Sequence, residues 1–211
     1  INRREPVRLA VGTALRQVTA GGGHVCGLDA GGAAWCWGRN DRGQLGDASV
    51  ATREEPASVA GLTGLVGLAL GETHVCAWTA DGAAWCWGSN EYGQSGGTNI
   101  VETAPVRVAP QLAFDTLATT RDHTCGLVDS VAWCWGRNDH AQLGVSGGGT
   151  SPVPVRVATD LRFSQISAGT SHSCGLATDG LVYCWGRGSF GSLGTGTRTG
   201  SVAPVRVRHQ R

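Results

Sequence analysis

Apolar and polar positions alternate along this chain in runs of four to six residues. Clusters of Gly, Asp and Asn separate the runs, which are the signals of short strands joined by turns. No segment sustains a helical period. In the first stretch the runs fall over 15–20, 24–29, 33–38 and 56–59, predicting four strands. The same succession then recurs three times. HVCGLDAGGAAWCWG over 24–38 is followed by HVCAWTADGAAWCWG over 74–88, HTCGLVDSVAWCWG over 123–136 and HSCGLATDGLVYCWG over 172–186. Each leads into a glycine-rich segment: NDRGQLG from Asn40, NEYGQSG from Asn90, NDHAQLG from Asn138 and GSFGSLG from Gly188. Each ends in a strand opened by proline: PASV at Pro56, then PVRV at Pro105, Pro154 and Pro204.

A four-stranded unit of about 50 residues cannot bury both of its faces alone, so repetition at this period predicts blades stacked side by side. The expected fold is all-β, a single repeat domain over 1–211 with β-propeller-type blades at about 15–59, 64–108, 113–157 and 163–207. A strand-like PVRL at 6–9 precedes the first full unit. The 34 glycines suit many tight turns and weaken helices. The longest apolar stretch, around Leu62 to Leu70, is broken by glycines and too short to span a bilayer, so no membrane span is expected. The net charge is +1 and every basic residue is Arg, without the clustered excess that nucleic acid binding needs, so no nucleic acid partner is expected. The chain starts at Ile1 and holds no Met, which reads as a processed or trimmed product.

The eight cysteines fall in four pairs, Cys26 with Cys36, Cys76 with Cys86, Cys125 with Cys134, and Cys174 with Cys184. Each pair sits on two strands joined by a tight turn. Opposed residues in a hairpin have Cα atoms about 4.5–5.5 Å apart, within disulfide reach. The third unit has a turn one residue shorter, with Asp129 and Ser130 at its tip, and still keeps its cysteines opposed if the deletion lies in the turn. Four disulfides imply an oxidising, extracytoplasmic location: periplasm, cell surface or medium. The rival is zinc. His24, His74, His123 and His172 each precede a cysteine by two residues, giving three soft ligands per unit where zinc takes four. No metal and no cofactor are therefore expected.

The pattern H-x-C-x-L, a turn, then W-G-x-N-x-x-G-Q-L-G resembles the regulator of chromosome condensation repeat, over essentially the whole chain from Val7 to Val207. The resemblance implies a β-propeller, usually of seven blades, and a packing and hydrogen-bonding role for the histidine. It covers a nuclear exchange factor for a small GTPase, chromatin binders, and secreted bacterial members that inhibit other proteins, so activity does not follow from the fold. This chain departs from the pattern at Gly188 and Ser192 in the fourth unit and at Ala141 in the third. Four units are fewer than seven, which favours a partial propeller or open arc over a closed four-blade ring. Its open ends would be covered by more chain, a second copy or another protein.

Trp35 with Trp37, Trp85 with Trp87, Trp133 with Trp135, and Tyr183 with Trp185 share one sheet face by strand alternation. They are expected to pack between blades. Trp78 stands where other units have Leu, and is expected to be exposed or to fill a different gap. The two variable positions after the loop asparagine are Asp41 and Arg42, Glu91 and Tyr92, Asp139 and His140, with Ser189 and Phe190 in the fourth unit. Charged and aromatic residues that vary over a constant frame suit partner contacts. No nucleophile elbow, catalytic triad or phosphate loop is present, so no enzyme is expected. The reading is a non-enzymatic extracytoplasmic protein–protein interaction scaffold, an accessory subunit or an inhibitor. The alternatives are a carbohydrate-binding module with exposed Trp and, more weakly, a nucleotide exchange factor.

Overall fold

A computed structural model describes Glu5 and residues 12–208; the strand expected at 6–9 lies outside the described residues. Four antiparallel sheets follow one another, each with its four strands side by side in chain order. The first holds β1 (Leu15–Ala20), β2 (His24–Asp29), β3 (Ala34–Gly38) and β4 (Arg53–Ser58). The second holds β5 (Leu65–Leu70), β6 (His74–Thr79), β7 (Ala84–Ser89) and β8 (Val101–Val108). The third holds β9 (Thr116–Thr119), β10 (His123–Val128), β11 (Val131–Arg137) and β12 (Thr150–Arg156). The fourth holds β13 (Phe163–Ala168), β14 (His172–Ala177), β15 (Val182–Gly186) and β16 (Ser201–Arg206).

Local chemistry sets the central hairpins. Asp29 Oδ1 accepts the Ala33 amide at 2.9 Å, and Gly32 takes a positive φ in the turn. In the shorter third hairpin, Asp129 and Ser130 both adopt positive φ, the two-residue turn whose twist matches the strands. The register holds in all four blades, so Cys26 opposes Cys36, Cys76 opposes Cys86, Cys125 opposes Cys134 and Cys174 opposes Cys184. All four pairs are disulfides, with Cα atoms 4.0–4.2 Å apart. The glycine that closes each Trp-Gly step is required by the backbone. Gly38 has φ of +101°, and a Cβ there would lie 2.6 Å from the Gly23 carbonyl oxygen.

The fourth strands differ from the sequence expectation. They begin three or four residues before the prolines at 56, 105 and 204, and two residues before the first of the two in β12, so the prolines lie inside β4, β8, β12 and β16. Each strand is irregular between its pairings with the third strand; in β4 the pairing jumps from Ala57 to Arg53, leaving Pro56 in the bulge. An edge strand needs amide donors on one side only, and a bulge lets proline sit there without breaking the ladder.

Among the described residues the buried core forms three clusters, one at each junction between consecutive blades. Each cluster sets the cysteine face of one blade against the tryptophan face of the next. Trp87 packs with Cys26, Leu28 and Cys36. Trp135 packs with Cys76 and Cys86, and Trp185 with Cys125 and Cys134. Among the described residues nothing gives the end faces this cover. Trp87, Trp135 and Trp185 are 0% exposed, whereas Trp37 of the first blade is only part-buried. Val18 is 60% exposed where the equivalent Leu68 and Leu117 are 4% and 5%. At the other end, His172, Cys174 and Leu176 are part-buried, although their counterparts His24, Cys26 and Leu28 are buried. The four blades form an open arc, and the turns between their first and second strands surround one shallow cleft.

Candidate interaction surface

Between the blades a recurring polar clamp holds the frame. Thr124 Oγ1 donates to the Gln94 carbonyl at 3.0 Å, so its lone pair accepts from His74 Nε2 at 2.8 Å. Ser173 repeats the arrangement with the Gln142 carbonyl at 2.9 Å and His123 Nε2 at 2.9 Å. Trp87 and Trp185 each donate Nε1–H to the carbonyls of Gln44 and Gln142 at 3.0 Å. At the first junction Val75 stands at the hydroxyl position, and the nitrogens of His24 have no partner. His74 and His123 thus join neighbouring blades. Burial pushes His24 down to about 4, and His74 and His123 to about 3. The cysteines beside them are oxidised, and no group of three or more metal-ligating side chains is found among the described residues.

The glycine-rich loops are tied internally. Asn40, Asn90 and Asn138 accept the amides of Leu45, Ser95 and Leu143 at 2.9–3.0 Å, and their Nδ2 groups bond further round the same loops. This fixes the variable positions on one rim, where neighbouring loops meet. Arg42 donates to Glu91 of the next blade at 2.8 Å. The Arg137 guanidinium lies 4.8 Å from the Tyr92 ring centroid while Asp139 holds its Nε at 2.6 Å. Asp41 is held by Arg39 through two bonds of 2.6 Å, which keep its carboxyl below the usual range. Arg42, Glu91, Tyr92 and Asp139 therefore join adjacent loops into a continuous strip. His140 and Ser189 border a cleft at the junction of blades three and four. Phe190, in the loop of the fourth blade, is 93% exposed. Sequence reading missed Arg39, Arg137 and Arg187, although an arginine before the loop asparagine position in three of four units was the available signal.

No tryptophan is exposed. Trp35 donates to Asp29 at 3.1 Å, and Arg107 covers Trp85 at 4.8 Å. Trp78 fills a gap of its own: it pairs across the sheet with Gly67, and its ring occupies the space a Cβ there would need.

Repeated four-stranded blades with a constant inter-blade frame and variable rim loops define a β-propeller repeat protein. The regulator of chromosome condensation (RCC1) repeat matches residues 31–78, 129–176 and 179–211, and a second description of that repeat matches 15–44, 66–94 and 163–192. The chain belongs to the RCC1 repeat family. Among solved structures, yeast RCC1 (Prp20) bound to Kap60 is similar at 24% identity and TM-score 0.84, over 97% of this chain and 50% of that one. Prp20p from Saccharomyces cerevisiae matches at 25% identity and TM-score 0.84, over 94% and 51%, and human WBSCR16 at 24% and 0.83, over 92% and 53%. The chain spans about half the length of these structures. No curated protein matches it.

Proposed function

We propose that the chain acts as a non-enzymatic, extracytoplasmic scaffold that binds protein. The observation carrying this reading is the rim of variable loop residues from Arg42 to Phe190, linked by contacts from Arg42 to Asp139, where polar and aromatic side chains differ from blade to blade on a shared four-stranded frame. Aromatic and arginine side chains are the residue types that dominate protein interfaces. Protein binding also recurs among the relatives: one structure has yeast RCC1 bound to Kap60, and another concerns the binding properties of Prp20p to Gsp1p and histones. Four disulfides favour an oxidising compartment over the nucleus or cytosol, which weighs against a nucleotide exchange role. Trp87, Trp135 and Trp185 are buried and the other tryptophans are part-buried, which weighs against stacking of sugars. No helix among the described residues is long and apolar enough to cross a membrane.

The test is site-directed photo-crosslinking from position 190 and from position 42 in material from the native compartment. One defined protein adduct at either position, reduced by Tyr92→Ser, is the expected result. Absence of any adduct together with a saturable hit on a glycan array would replace this reading with the carbohydrate one.

A further inference from the structure

Two departures from the repeat converge on one place. Gly188 of the fourth unit and Ala141 of the third line a cleft of ≈430 Å³ between their blades, together with the variable residues His140 and Ser189 and with Arg187 and Arg198. That volume is in the range of small-ligand sites. At the first two junctions the corresponding loop position is a glycine. There, Gly43 lies against the Thr103 backbone and Gly93 against the Pro152 backbone, so the next blade's fourth strand closes on the loop. At 141 a methyl group stands where that approach is made.

The charge of the cleft follows from the same loop residues. In the first and third blades the arginine before the loop asparagine is neutralised two residues later, Arg39 by Asp41 at 2.6 Å and Arg137 by Asp139 at 2.6 Å. In the fourth blade a serine replaces the aspartate. Ser189 Oγ accepts only Arg187 Nε, at 2.9 Å, and leaves the charge in place. Arg198 owes its position to Gly188, because a Cβ at 188 would collide with the Thr199 carbonyl. With no side chain there, the 199–200 backbone folds against the loop and carries Arg198 to the cleft. No carboxylate lines the cleft, and none of the ion pairs among the described residues includes Arg187 or Arg198.

We propose that this cleft is an oxyanion site, taking a carboxylate or phosphate group between the guanidinium groups of Arg187 and Arg198. A guanidinium presents a planar fork of donors that matches such a group in pairs. The proposal stands independently of the scaffold reading, since a free anion or an acidic peptide could each supply the group. Titration calorimetry at low ionic strength tests it, with inorganic phosphate, an aspartate-rich peptide and the matching asparagine-rich peptide as probes. Saturable binding of phosphate or of the acidic peptide is expected, with none to the asparagine peptide. Phosphate alone would assign a small free oxyanion, and the peptide alone an acidic segment. Arg187→Gln and Arg198→Gln are each expected to weaken binding about tenfold. Ser189→Asp supplies the carboxylate that neutralises the other blades, and should abolish binding while the thermal unfolding midpoint is retained. Arg156→Gln, at an arginine paired with Asp160 outside the cleft, should bind like wild type. Wild-type protein that binds neither anion overturns the proposal, as does a folded Ser189→Asp variant that binds as tightly as wild type.

Discussion

Each blade carries a histidine whose neutrality is part of the fold. Burial holds His24 at about 4 and His74 and His123 at about 3, against an ordinary value of 6.5. The unfolded chain therefore takes up protons that the folded chain refuses between those limits. Stability is complete above about pH 6.5 and falls as pH drops toward 4 and 3, by up to about 1.4 kcal/mol per pH unit for each histidine. Urea unfolding at pH 7 and pH 5 should show this loss, and His123→Gln should flatten it. Ala141 is strained in a different way: it holds φ of +60° at a position that is glycine in the other three units. Left-handed backbone costs an L-residue about 1–2 kcal/mol. Ala141→Gly is expected to raise unfolding stability by about 1 kcal/mol, read from denaturant midpoints at constant slope.

The central hairpin is the unit that each disulfide closes. A loop of about ten residues should contribute roughly 2.5–3 kcal/mol by restricting the unfolded chain. Replacing Cys76 and Cys86 together by Ala should cost about that much in chemical unfolding. The four bridges are not equally accessible. Cys26, Cys76 and Cys125 are 0% exposed beneath the next blade, whereas Cys174 lies on the uncovered end face. Exchange needs a thiolate to reach the sulfur. Under limiting reductant, differential alkylation should therefore label Cys174 and Cys184 before the other six cysteines.

Across the molecule, one residue type at one strand position acquires different importance according to its place in the array. Trp135 is sealed between two blades and touches the Phe114 ring at 5.6 Å between centroids. Trp135→Ala should cost about 3–5 kcal/mol, the range for a fully buried large aromatic. Trp37 is only part-buried among the described residues, and Trp37→Ala should cost less than half as much in the same assay. The contrast holds for charge. Val18→Arg should be tolerated, while Leu68→Arg should prevent folding, because only the latter places an unpaired charge in a packed junction.

The sequence by itself determined what depends on neighbours along the strand. Alternation placed the strands, the Asp-Gly and Asp-Ser turns set the hairpin register, and the register opposed Cys26 to Cys36 and its three counterparts. These are short-range consequences of backbone geometry, so they repeat wherever the motif repeats. The tertiary structure decided everything that crosses a junction. Arg42 and Glu91, which the sequence offers only as variable loop positions suited to a partner, meet across 49 residues at 2.8 Å. Thr124 and Ser173 prove to be partners of the histidines one blade earlier, which the one-unit pattern does not encode. Arg187 and Arg198 share a cleft only because Gly188 admits the 199–200 backbone. The physical reason is common to the first two: blade stacking brings together residues about fifty positions apart, and their distance is set by the packing of Trp against the disulfide face rather than by the local pattern of either blade.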